Sequence, residues 1–237
     1  MSFKKLYIIL GAGSGLGHEF AKNISLHNKV IGVFNNSKKT SNKNIIYIKL
    51  DIENKKQIES FFKKKKSFIN KFRTITFINF ATYKKDDLIL NIKDKDIKKT
   101  FSINLFFNIY FFQNLIKNFY SKKLNIIFIS SSLGKNVDAG TLLYSSSKIT
   151  LESLMKSIVI EYSQFNIRCN ILVLGFFKSA LWNKLSKDKK NNITKKIPSK
   201  KIGKVSNIFS SIKFLEKNDN INSSLIYVDS GFGSVKV

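Results

Sequence analysis

Tyr144 and Lys148 stand four positions apart in Tyr144-Ser-Ser-Ser-Lys148, a spacing of about one helical turn that puts both side chains on one helix face. An isolated phenol ionises near pH 10 and is a poor base at neutral pH. An ammonium beside it, together with a positive nicotinamide, favours the phenolate and is expected to lower the Tyr144 pKa. A phenol tuned in this way exchanges a proton with a hydroxyl or carbonyl oxygen while a hydride moves at the adjacent carbon. Ser131, thirteen positions upstream in Ile129-Ser-Ser-Ser-Leu-Gly134, offers a hydroxyl to orient the same oxygen from the other side. A Tyr-x-x-x-Lys alone commonly marks a solvated helix face. It gains weight here from the serine-rich strand end and from a glycine turn earlier in the chain.

That turn is Gly11-Ala-Gly-Ser14-Gly15-Leu16-Gly17, entered from the apolar run Leu6–Leu10. A strand that ends in glycines and opens a helix presents backbone N–H groups at a helix N-terminus, where they hold a pyrophosphate. The Gly-x-Gly-x-x-Gly spacing fails at Leu16, and the phosphate-loop pattern fails for want of the following Lys and Ser/Thr. Gly11, Gly15 and Gly17 leave Gly-x-x-x-Gly-x-Gly, with a plain strand-to-helix turn as the alternative. Asp51, with Ile52 beside it, follows the third expected strand, where a carboxylate accepts from an adenine amino group; capping the next helix is its other reading. Asn79 ends the fourth strand, and Ala81 is small enough to let a cofactor pass. The second strand ends in Phe34-Asn35-Asn36-Ser37-Lys38 without an acid. A site for NAD places Asp or Glu about 20 residues past the glycines to bind the ribose 2′-hydroxyl. The missing acid, with Lys38 and Lys39 nearby, favours NADP(H) over NAD(H).

Short apolar runs alternating with helix-period segments predict an α/β, Rossmann-like parallel sheet of about seven strands with helices on both faces. The expected strands are Leu6–Leu10, Val30–Phe34, Ile45–Leu50, Ile75–Asn79, Ile126–Ser130, Asn170–Leu174 and Leu225–Val228. Helices are expected near Gly15–His27, Lys55–Phe72, Ile97–Tyr120, Tyr144–Phe165 and Val205–Leu215. The single proline, Pro198, leaves no proline-rich linker, so residues 1–237 read as one nucleotide-binding domain. Residues 178–201, lysine-rich and weakly periodic, read as a mobile flap over the substrate. Phe101, Phe106, Phe107, Phe111 and Phe112 with their aliphatic neighbours cover more than one helix face. A helix on a sheet needs one apolar stripe, so the surplus predicts self-association, with a thick core as the alternative.

With these residues in view, the chain resembles a short-chain dehydrogenase/reductase along its length, from Gly11 to Val228-Asp-Ser-Gly231, and within that family is similar to 3-oxoacyl-acyl-carrier-protein reductases and their ketone and sugar relatives. The resemblance implies Tyr144 as acid/base, Lys148 as its tuning and ribose-binding cation, and Ser131 as orienter of the substrate oxygen. It assigns Asn104 to a water-linked proton relay toward the lysine, and Gly175 and Ser179 to the nicotinamide end. The implied activity is NADP(H)-preferring interconversion of a carbonyl and a secondary alcohol on a small or carrier-bound substrate, by a homodimer or homotetramer. A catalytically dormant cofactor-binding or scaffolding protein is the alternative. The family's Asn-Asn-Ala-Gly reads Asn79-Phe-Ala-Thr82 here, and Phe80 and Thr82 are expected to tighten the space around the cofactor. His18 is expected to be an exposed helix residue, Cys169 a small core residue, and Arg168 structural.

Composition limits the alternatives. The chain has 42 Lys plus Arg against 15 Asp plus Glu, a formal charge of +27, yet 43% of it is hydrophobic and 22 residues are Phe. That excludes intrinsic disorder. Arg73 and Arg168 are the only arginines, and the lysines are dispersed; arginine is the residue that reads base edges and grips phosphate in a fork, so specific nucleic-acid recognition is not expected. One cysteine excludes an internal disulfide, and with two histidines makes a metal cage unexpected. No run approaches the roughly 18 apolar residues of a membrane span. A cytoplasmic protein is expected.

Overall fold

The computed structural model describes residues 5–36 and 39–234. Seven strands, β1 (Lys5–Leu10), β2 (Lys29–Phe34), β3 (Ile45–Lys49), β4 (Thr74–Asn79), β5 (Lys123–Ser131), β6 (Ile167–Leu174) and β7 (Leu225–Val228), form one sheet in the order β3-β2-β1-β4-β5-β6-β7. Every pairing is parallel. Parallel strands covered on both faces read as continuous apolar runs, and β1 and β6 show this directly: Leu6 to Leu10 and all of Ile167–Leu174 are buried. The chain leaves β1 in one direction toward β2 and β3, then returns to β4 on its other side. The C-terminal edge between β1 and β4 is therefore the point where a crevice opens.

Two apolar layers sandwich the sheet. On one face α2 (Lys55–Asn70), α4 (Phe107–Phe119) and α5 (Leu142–Tyr162) pack through Phe61, Phe62, Phe111, Phe112 and Met155. On the other, α1 (Gly15–Ile24) and α8 (Val205–Lys217) pack through Phe20, Ile24, Ile208 and Ile212. The phenylalanine surplus is concentrated in the first layer. The Phe62–Phe111, Phe77–Phe111, Phe77–Phe112 and Phe112–Phe128 ring centroids lie 4.8, 4.9, 4.9 and 5.1 Å apart, within the range where tilted and edge-on rings attract. Part of the expected surplus is thus a thick core. Cys169 is buried in the same layer.

The sequence predicts one helix over Ile97–Tyr120, and the structure corrects this. α3 (Asp94–Phe101) gives way to a π-helical turn over Ser102–Phe106 before α4 begins. The wide turn holds the buried Asn104, whose side chain makes contacts away from the helix axis. Such turns interrupt helices at functional positions. The expected flap is also more regular than its composition predicts. It carries α6 (Ala180–Asn183) and α7 (Lys187–Lys196), the latter capped by Ser186, which accepts from the Lys189 N–H at 3.3 Å. Among the described residues no helix is long and apolar enough to cross a membrane, and no cluster of three or more metal-ligating groups forms.

Candidate active site

The sheet brings the sequence-predicted groups to one edge. The glycine turn follows β1, Asn79 and Ala81 end β4, Ser131 ends β5, and Gly175 follows β6. Gly11 has φ +73°, and a Cβ there would stand 2.7 Å from the Ala81 nitrogen and 2.8 Å from the Phe80 carbonyl carbon. A Cβ on Gly17 would meet the Gly11 oxygen at 2.5 Å. These two glycines close the turn against itself and against the end of β4. Gly15 differs: its φ is +57°, and the space its Cβ would occupy is open to 4 Å. Ser14 is the N-cap of α1 yet makes no side-chain cap hydrogen bond and is exposed; Leu16 is half-buried against α1 and its layer. An open cradle over a helix N-terminus, with its cap hydroxyl uncommitted, fits a dinucleotide pyrophosphate.

On the adenosine side, Asn35 is exposed at the end of β2. Asp51 accepts from the Glu53 N–H at 3.0 Å, while Asn54, not Asp51, caps α2 by accepting from the Gln57 N–H at 3.1 Å. That leaves Asp51 with a second carboxylate oxygen at the edge, and Ile52 packs against the core beside it. His18 is not the exposed residue expected. Its Nδ1 lies 3.2 Å from the Ala12 oxygen and 3.1 Å from the Tyr47 hydroxyl, and its Nε2 lies 3.4 Å from Lys39 Nζ. Burial and the Lys39 charge hold its pKa below the ordinary histidine value. Lys38, the other lysine of that expectation, lies outside the described residues.

The departures from the family pattern resolve inward. The Phe80 ring centroid lies 5.7 Å from that of Phe20 in the α1 layer, and its Cβ lies 2.9 Å from the place a Gly17 Cβ would take. Thr82 donates to Asn104 Oδ1 at 3.2 Å. Asn79 is committed within the protein, accepting from the Ala81 N–H at 2.8 Å and donating to Asn108 at 2.7 Å. Gly175 is required by packing, since a Cβ would lie 2.8 Å from the Asp229 Cα. Ser179 accepts from the Trp182 N–H at 3.2 Å.

Tyr144 and Lys148 lie in the first two turns of α5, with Lys148 Nζ 5.6 Å from the Tyr144 ring centroid. Lys148 is buried and donates to the Ile129 oxygen at 2.9 Å, and burial lowers its pKa to about 8. Tyr144 is half-buried beside this lysine. Its pKa is raised, first by burial, with the Asp86 charge adding to the rise and a hydrogen bond from Ser131 opposing it. An ammonium that is itself desolvated and bonded elsewhere does not outweigh the burial of the phenol. Asn104 makes no direct bond to Lys148. Its Nδ2 donates to Ser147 Oγ at 2.8 Å and to the Tyr83 backbone oxygen at 2.9 Å, its Oδ1 accepts from the Tyr83 N–H at 2.8 Å, and Ser147 donates to the Tyr144 backbone oxygen, not the phenol, at 2.8 Å.

Sequence reasoning missed three supporting residues: Asn108, Ser147 and Asp229. Asp229 accepts from Ser132 at 2.7 Å and from the Gly231 and Gly233 N–H groups, tying the end of β5 to the chain after β7. The Asn104/Asn108 spacing of one helical turn was a signal available for Asn108.

Residues 5–190 match the family model described as short chain dehydrogenase. The chain is 32% identical over 241 residues to the 3-oxoacyl-[acyl-carrier-protein] reductase FabG of Buchnera aphidicola subsp. Baizongia pistaciae, covering 96% of this chain and 97% of that protein. It is 24% identical over 234 residues to carbonyl reductase family member 4 of Xenopus laevis, covering 96% and 97%. Among solved structures, ligand-free Thermoplasma acidophilum aldohexose dehydrogenase superposes with a TM-score of 0.88 at 21% identity, covering 99% of this chain and 96% of that one. ElxO with NADP bound superposes equally well at 22% identity, covering 98% and 100%.

Proposed function

The chain belongs to the short-chain dehydrogenase family and is an NAD(P)-dependent oxidoreductase, and from that premise we propose that it interconverts a carbonyl and a secondary alcohol with NADP(H), using Tyr144 as the acid/base. The observation that carries the reading is the half-buried Tyr144 one helical turn from the buried Lys148, whose amine lies 5.6 Å from its ring, at the sheet edge that Ser131 and the glycine turn also occupy. The nicotinamide, when bound, gives or takes the hydride. Gly11, Gly15 and Gly17 hold the pyrophosphate on the α1 N-terminus with Ser14 and Leu16; Asn35, Asp51 and Ile52 border the adenosine; Ala81, Gly175 and Ser179 border the path to the nicotinamide. Asn79 acts by holding the Ala81 backbone. NADP(H) is favoured over NAD(H) by the absence of an acid at the end of β2 and by Lys39, whose amine reaches the first turn of α1 at His18.

In this reading Ser131 donates to the substrate oxygen and Tyr144 exchanges a proton with it. Burial keeps the phenol protonated, which suits it to give the proton to a carbonyl undergoing reduction. Lys148, already pushed down to about 8, exchanges protons near neutral pH and restores the phenol, with Asn104 positioning Ser147 and the loop after β4. Relatives named as reductases give the dormant alternative no support.

NADPH oxidation against 3-oxoacyl thioesters, keto-sugars and simple ketones tests the reading. Tyr144→Phe is expected to cut turnover by about 10²–10⁴-fold while NADPH still quenches or shifts its fluorescence on binding; a variant as active as the parent protein rejects the assignment.

We further propose a homodimer or larger homo-oligomer. Between α4 and α5 runs a groove of about 570 Å³ lined by Ile109, Phe112, Ile116, Leu154 and Phe165, and Ile160 on α5 is 82% exposed. An apolar face of this kind suits a second copy. Ile109→Asp should shift sedimentation to the monomer; an unchanged coefficient rejects this surface.

A further inference from the structure

The loop after β4 carries two charged residues to the catalytic phenol that no step above uses. Lys84 Nζ lies 5.4 Å from the Tyr144 ring centroid, comparable to Lys148, and 2.8 Å from Asp86. The loop is pinned at both ends of this short segment. At one end Asn104 exchanges hydrogen bonds with the Tyr83 N–H and oxygen. At the other, the Asp87 N–H donates to the Gly140 oxygen at 2.9 Å, in the turn just ahead of Tyr144. Gly140 has φ +81° and sits directly against Asp87, so the two backbones are fitted to each other.

We infer that Lys84 and Asp86 are positioning residues for the proton step: their ion pair, held beside the Tyr144 ring by this pinned loop, sets the charge against which the phenol ionises. The inference rests on the reading of Tyr144 as acid/base. Among the described residues, the charged groups set against the Tyr144 ring or acting on its phenol come from two elements. Lys148 comes from its own helix, and Lys84 and Asp86 from the loop. The neighbouring charges are paired elsewhere: Lys85 with Asp87 at 3.9 Å, and Asp138, ahead of α5, with Lys196 at 3.9 Å. The Asp86 carboxylate opposes phenolate formation, in agreement with the raised Tyr144 pKa. Lys84 both neutralises that carboxylate and offers its own charge to the ring. Removing either partner unmasks the other.

The two single variants therefore move the phenol in opposite directions. Asp86→Asn leaves Lys84 unpaired and lowers the Tyr144 titration point; Lys84→Met leaves Asp86 unpaired and raises it. Both side chains are partly exposed, so each shift is about half a pH unit, roughly a threefold change in phenolate at fixed pH. The measurement is the pH titration of tyrosine ¹³Cζ resonances in the full chain, with the Tyr144 signal assigned by its loss in Tyr144→Phe. Opposite shifts in the two variants, with Lys84→Arg at the parent position, support the inference. Superimposable titrations, or shifts of the same sign, overturn it. Turnover retained by Tyr144→Phe would instead sink the acid/base reading, and this titration would stand apart from that outcome.

Discussion

At the glycine turn, backbone lies against backbone: the Cβ missing from Gly11 would collide with Ala81 and Phe80 main-chain atoms, and the one missing from Gly17 with the Gly11 oxygen. Around Tyr144 the fitting is done by side chains instead, through Ser131, Asn104, Ser147 and Lys84. A site made from main chain tolerates almost no change at a few positions and is indifferent elsewhere. One made from side chains spreads its demands over many residues, each replaceable at a smaller cost. Three perturbations bear on this contrast.

The largest effect is expected at Gly11. Gly11→Ala adds a left-handed penalty of about 1–2 kcal/mol to a backbone collision of about 1–3 kcal/mol, and should lower stability by about 2–5 kcal/mol in urea unfolding. Gly15→Ala shares the positive φ but meets no neighbour, so only about 1–2 kcal/mol should be lost, while NADPH affinity falls more than tenfold as the methyl enters the cradle. Equal destabilisation of the two variants would break the contrast.

Between these lies Lys148. Burial holds its folded pKa at about 8, below the ordinary lysine value of 10.5. Between those two values the unfolded chain binds more protons than the folded one, so stability rises with pH across that window. Lys148→Met should be inactive yet more stable below pH 8, by up to about 3 kcal/mol, with the gain gone by about pH 10.5. A variant less stable than the parent at pH 7 would show that the bond to the Ile129 oxygen outweighs burial.

The same division explains what was legible in the sequence. The strands were read within three residues at their ends because buried parallel strands are uninterrupted apolar runs; β7 was read without error. Gly11, Gly15 and Gly17 were legible because a backbone constraint is local and leaves its mark in spacing. The proximity of Ser131, Tyr144 and Lys148 was legible from one helical turn and one strand end. What escaped depended on distant partners. The ring contact of Phe80 joins it to Phe20, sixty residues earlier in the chain. The direction of the Tyr144 shift depended on burial and on Asp86, fifty-eight residues away in the chain, and the π-helical turn at Asn104 has no periodic signature.

Arg168, in β6, is 7% exposed and gives its guanidinium to the Leu215, Asn218 and Ile221 oxygens and to Asn125. Three of those four acceptors come from a stretch about fifty residues later, where α8 ends and the chain turns toward β7. A nascent polypeptide that has only reached β6 holds a cation with most of its acceptors still unsynthesised, and desolvating such a charge costs several kcal/mol. The placement of β6 beside the end of α8 and the chain entering β7 is thereby coupled through one guanidinium.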